Sequence, residues 1–186
     1  MLIPNNRLQQ LPVMSLQTGA ELAVLDEPIV DPRKLTVVAF YLTGPRLEEP
    51  GTLLHVSDIR ELSDIGIIVD GVDSLMTSEG LVRLQEIINF HFKLVGTKVV
   101  DEHGHRLGKV DSYALEPETY SVQQIYTKPT LWRSFTSTTN IIHRNQVVSV
   151  TNEQIVVKSP TIVEEVKQRA EAFTNPFRAA NKTPGG

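Results

Sequence analysis

The chain has 186 residues, and 18 Lys and Arg against 22 Asp and Glu give it a net charge of −4. With 40% hydrophobic and 22% charged residues it has globular composition, and its mild acidity argues against a protein that works by nonspecific nucleic-acid contact. The lack of cysteine removes disulfides, thiol nucleophiles and thiolate metal sites. The N-terminus has no apolar core of signal-peptide length, and no stretch reaches the roughly 18 apolar residues of a transmembrane helix. The expectation is a cytoplasmic protein with no transmembrane segment.

An internal repeat organises the chain. Gly19, Leu22, Leu25 and Asp26 recur 85 residues later as Gly104, Leu107, Val110 and Asp111. At the same offset Asp31, Leu35, Val37 and Tyr41 fall on Glu116, Tyr120, Val122 and Tyr126. Beyond a three-residue insertion, His55, Ile59, Leu62, Ile67 and Val69 fall on His143, Val147, Val150, Ile155 and Val157. Apolar, turn and acidic positions repeat in order, as a tandem duplication requires.

Each copy reads as short strands. A tight turn with Gly at its positive-φ position opens it, at 17–19 and 102–104. A strand comes next over 21–30 and 106–115, then a proline turn over 31–34 and 116–119. The β-branched and aromatic runs 35–42 and 120–126 are strands. Short apolar runs at 57–59 and 66–69, and at 145–147 and 154–157, close each unit. Close-spaced short strands with turn signals suggest a small barrel or sandwich. Leu81, Leu84, Ile88 and His91 then predict an amphipathic helix over 78–92, and Val163, Val166, Ala170 and Phe173 predict a second. A tail without periodicity ends the chain. The expected fold is all-β with short helices: two tandem small barrels, each followed by an amphipathic helix. The boundaries are 7–77 and 94–160 for the barrels, 78–93 for the linking helix, 161–174 for the C-terminal helix and 175–186 for a flexible tail.

The run from Leu94 to Val110, with Gly104, Leu107, Gly108, Lys109 and Val110, resembles the opening of a PRC-barrel domain. The run from Asn145 to Val157 is similar to that family's last two strands. The first copy resembles it through 11–19 and 58–67. It carries Ala23, Val24 and Leu25 where the second has Gly108, Lys109 and Val110, so its assignment rests on the repeat. The resemblance covers 11–70 and 94–158 and implies a small β-barrel that docks onto other proteins. Its relatives include the cytoplasmic subunit of photosynthetic reaction centres and the C-terminal domain of a ribosome-maturation factor. It brings no general catalytic motif. Gly19, Gly104 and Gly108 are its structural turn residues here.

His103 and His105, with Asp101 and Glu102, form the densest group of potential metal ligands. They straddle the shared turn, where the first copy has Gln17, Thr18 and Ala20, and a solvated turn accounts for them better than a metal. His55 and His143 recur at equivalent positions. A strand-end histidine bonded to backbone accounts for them better than a catalytic or pH-sensitive pair. Phosphate-binding and serine-hydrolase motifs are absent. The loop insertion carries Trp132, the one tryptophan, beside Arg133 and Phe135. Two readings stay open there, an interface anchor and a lid over a barrel end. Val38, Phe40 and Leu42 make a second strand face apolar, which demands cover from a helix, the other barrel or another subunit.

The sequence therefore points to a non-catalytic adaptor or scaffold without cofactor. Its partner is another protein or a second copy of the chain, and Trp132, Arg133, Phe135, Val38 and Phe40 are the candidate contacts. The alternative is a ribosome- or RNA-associated assembly factor, which requires Lys93, Lys98, Arg106, Lys109, Arg133 and Arg144 to share a face. A metal protein or an enzyme is the third reading.

Overall fold

The computed structural model describes residues 1–47, 49–63, 65–77, 79, 81–128 and 140–159. The expected helix over 161–174, the tail over 175–186, and Trp132, Arg133 and Phe135 lie outside the described residues.

The described chain is mostly β-sheet with few helices and includes a curled half-barrel sheet. Its elements in order are β1 (Ile3–Pro4), α1 (Asn5–Leu8), β2 (Pro12–Ser15), β3 (Glu21–Asp31), β4 (Thr36–Thr43), β5 (Leu53–His55), β6 (Ile59–Leu62), β7 (Ile67–Val69) and β8 (Leu75–Met76). Then come α2 (Val82–Asn89), β9 (Lys98–Asp101), β10 (Arg106–Leu115), β11 (Val122–Lys128), β12 (Asn140–His143), β13 (Val147–Val150) and β14 (Gln154–Val157). No helix among the described residues is long and apolar enough to cross a membrane.

Two sheets form, and apart from β8 at one edge their strand orders are the same. The first runs β6-β7-β2-β3-β4-β5-β8 and the second β13-β14-β9-β10-β11-β12. In both, the opening strand pairs parallel with the closing one, β2 with β7 and β9 with β14, while the other neighbours are antiparallel. The duplication seen in the residues is thus a duplication of topology. β1 breaks it, because it leaves the first unit and pairs with the far end of β10 at Ala114 and Leu115.

Both copies share two irregularities. Between Leu25 and Pro28 on β3, and between Val110 and Ser112 on β10, one extra residue bulges out of the ladder. Asp26 and Asp111 sit at these bulges. A second bulge falls at Val38 on β4 and at Gln123 on β11. It resets the side-chain alternation by one residue. Phe40 and Leu42 therefore join Val37 in the main core, while Val38, Ala39 and Tyr41 pack on the other face. The expectation that Val38, Phe40 and Leu42 share a face is corrected by this bulge. Phe40 is 0% exposed, so no partner reaches it while the sheet is closed.

The main core runs through both copies without a break, from Leu25, Phe40 and Ile67 to Val99, Ile125 and Ile155. A smaller cluster of Ile29, Ala39, Leu53 and Leu84 joins the outer face of the first sheet to α2. The helix is shorter than predicted. Leu81 and His91 fall outside its eight residues, and Leu84, Ile87 and Ile88 supply the packed face instead. Gly19 (φ +66°) and Gly104 (φ +82°) take the left-handed turn conformation expected of them. Gly108 differs: it lies inside β10, next to an irregularity against β9, and is no turn residue.

Candidate functional site

The two copies meet through reciprocal backbone bonds. Val37 N–H donates to Tyr120 O (2.9 Å), and Val122 N–H donates to Leu35 O (2.8 Å). Val37 and Val122 are repeat equivalents, and so are Leu35 and Tyr120, so the seam has local two-fold symmetry. Leu35 and Tyr120 both adopt positive φ, 47° and 55°. Side chains larger than glycine rarely do so, and here the turn that builds the seam holds them. Arg144 pins the seam from one side only, donating Nη1 to Leu35 O (3.0 Å) and Val122 O (3.3 Å), and Nη2 to Lys34 O.

A groove of about 850 Å³ opens between the copies. Its lining includes Asp26, Glu27 and Pro28 at the β3 bulge, Asp111 to Tyr113 of β10, Ile87 and Ile88 of α2, and Phe92 to Val95. The bulges explain why two carboxylates at equivalent positions reach one concavity, since each turns an aspartate out of its ladder. Lys93 crosses the rim to Glu27 (3.0 Å), and Lys128 pairs with Asp111 (2.6 Å). Asp26 is exposed and has no ion pair among the described residues. Tyr113 also lines the groove. Its N–H donates to Asn5 Oδ1 (3.1 Å), while its hydroxyl is buried without a hydrogen-bond partner among the described residues. Burial pushes that phenol well above the usual range.

A second group forms at the turn between β9 and β10. Asp101 is buried, and its Oδ1 accepts the backbone N–H of His103 (2.9 Å) and of His105 (2.8 Å). Its Oδ2 accepts from His105 Nδ1 (2.8 Å) and from Ser159 Oγ (3.2 Å). His103 Nδ1 lies 3.0 Å from the same Ser159 Oγ. Burial alone would raise the Asp101 carboxyl, but the bonds from the His105 ring and from the two backbone N–H groups outweigh it and hold it at about 2. A carboxylate so firmly ionised is a poor general base near neutrality. Ser159 and Asp101 are also not linked through the two nitrogens of one imidazole, because His103 turns the same Nδ1 toward both. A serine-hydrolase relay needs that linkage.

In sheet register the counterpart of Asp101 is Ser15, because Asp101 pairs with Val157 as Ser15 pairs with Val69. Ser15 Oγ accepts the N–H of Thr18 (3.2 Å), the same turn-closing role. The ungapped repeat hides this match, since the second turn is one residue shorter.

The other predicted residues are dispersed. His55 Nδ1 accepts the N–H of Ser57 (3.2 Å), and the N–H of His143 donates to Gln146 Oε1 (2.8 Å). Each opens a short turn after its strand, one in each sheet. Of the basic residues, Lys93 is tied to the groove rim and Arg144 to the seam. Lys98 and Lys109 face each other across β9 and β10. The groove was not anticipated. The signal that could have revealed it was Asp26 and Asp111 recurring at equivalent positions inside the two long strands.

Compared with known proteins, the chain matches no family model and no curated sequence.

Proposed function

We propose that this protein is a non-catalytic adaptor built from two PRC-like barrel repeats, the first covered by the amphipathic helix α2, and that it holds an extended segment of a partner protein in the groove between them. The observation that carries this reading is the groove itself, with its apolar walls from Pro28, Ile87 and Ile88 beside the carboxylates Asp26 and Asp111. A concavity with apolar walls and a few convergent polar groups is the usual form of a binding site. Asp26, which has no ion pair among the described residues, selects a segment with Lys or Arg at that point, since charge complementarity steers encounter and suppresses wrong partners.

The test is fluorescence anisotropy of the full chain with a panel of extended peptides, basic, neutral and acidic, that share one apolar frame. Basic members bind, their affinity falls with salt, and Asp26→Lys weakens them by about tenfold or more. Equal binding of acidic and basic members, or an Asp26→Lys variant that binds as the parent does, overturns the assignment.

A further inference from the structure

We infer that the turn between β9 and β10 is a binding site for a late first-row divalent cation such as Zn²⁺, held by Asp101, His103 and His105. One donor atom from each of the three lies within 4.8 Å of the others, and this is the one such group among the described residues. Zinc binds imidazole nitrogen and carboxylate oxygen at about 2.0–2.2 Å, so donors around a tetrahedral ion stand roughly 3.3 Å apart. Asp101 Oδ2 is 2.8 Å from His105 Nδ1 and 4.0 Å from His103 Nδ1. These distances bracket the required spacing, and closing on a metal asks only for small rotations of two exposed rings.

The backbone needs no change. Asp101 Oδ1 already fixes the N–H groups of His103 and His105, so both imidazoles project from one braced turn around Gly104. Their rings stack with centroids 6.0 Å apart. The His105 ring gives up its hydrogen bond to Oδ2 by moving its proton from Nδ1 to Nε2. Nδ1 then becomes a donor to the metal. Ser159 Oγ, within hydrogen-bond reach of both Asp101 and His103, is placed to orient the ligands or the water that completes the shell. The two imidazoles favour zinc, nickel, cobalt or copper over magnesium and calcium, which take oxygen ligands. The turn of the first copy, with Ser15, Thr18 and Ala20, offers no such donors, so the site belongs to the second copy alone.

The test is calorimetric titration of the metal-free full chain with Zn²⁺ at pH 7.5, alongside NMR of the histidine rings. The expected result is one zinc bound per chain, ring shifts at His103 and His105, and a loss of affinity of about tenfold or more in both His103→Gln and His105→Gln. Glu102→Gln, a neighbour outside the set, should bind as the parent does. Absence of zinc binding in the micromolar range, shifts at His55, His91 or His143 instead, or full binding by the His103→Gln/His105→Gln double variant overturns the assignment. The ring shifts are read on the unaltered chain, so the outcome does not depend on any variant folding.

Discussion

Thr127 offers a sharp test of how the second copy is packed. It lies on β11 at the repeat position that Leu42 fills in the first sheet, and both side chains are buried. Thr127 is 0% exposed, and its hydroxyl is buried without a hydrogen-bond partner among the described residues. A hydroxyl taken from water without compensation costs about 1–3 kcal/mol in protein mutational data. Thr127→Val replaces that oxygen with a methyl of similar size and keeps the β-branched geometry, so no cavity opens. The expected gain is about 1–2 kcal/mol, or about 2–8 °C in Tm for a chain of this length. Thr127→Ser does the reverse, because it keeps the unpaired hydroxyl and removes a buried methyl, and should lose about 1 kcal/mol. Urea unfolding of the three proteins, fitted with a common m-value, measures both. A valine variant less stable than the parent would show that the hydroxyl has a partner and that the packing argument is wrong.

Leu84 is the buried residue of α2 and packs on Ile29, Ala39 and Leu53. Leu84→Ala should cost about 2–3 kcal/mol in the same denaturation assay, the low end for this substitution because the cluster is small and can relax. Arg144→Ala removes charged donors from three seam carbonyls. It should cost about 2 kcal/mol and, by loosening one copy from the other, broaden or split the calorimetric unfolding transition. Burial pushes the phenol of Tyr120 up to about 12 and that of Tyr113 further. The folded state therefore favours the neutral phenols. This stability is complete below about pH 10, where unfolded tyrosine titrates, and is lost as pH rises through 12. An ultraviolet titration should show both resisting ionisation beyond pH 10 until the protein unfolds.

The repeat and its structural consequences were legible in the sequence. Gly19 and Gly104 needed a left-handed turn, the proline turns at 31–34 and 116–119 needed a strand on either side, and the two sheets emerge with one strand order. Hydrophobic pattern and turn chemistry are local, so they can be read locally. The bulges at Val38 and Gln123 cannot, because one extra residue in a ladder changes neither composition nor turn signal yet moves Phe40 from one face to the other. The transfer of β1 to the second sheet is a pairing between residues more than a hundred positions apart, and nothing in Ile3 or Pro4 announces it. Asp101, His103 and His105 were visible as residues, but the burial of Asp101 and its bracing of the turn's backbone were not. Its importance depends on a sheet register in which it replaces Ser15.

The seam explains where the copies are free to differ. Val37 bonds Tyr120 while Val122 bonds Leu35, the pattern of an isologous dimer in which each side makes the same contact with the other. Those bonds use backbone atoms, so they constrain the turn at 35–37 and 120–122 and leave the side chains elsewhere unconstrained. In a dimer of separate identical chains, every new side chain would appear twice. In a fused pair it appears once. Arg144 bonds the seam from the second copy, where the first has Val56 at the same place. α2 lies over apolar Val38 and Ala39 in the first sheet, where the second presents Gln123 and Gln124. Asp101, His103 and His105 crowd one turn and not its counterpart. Each asymmetry lies in one copy while the reciprocal bonds that join the copies persist. Covalent fusion therefore separates the groove, which needs both copies, from the histidine turn, which needs one.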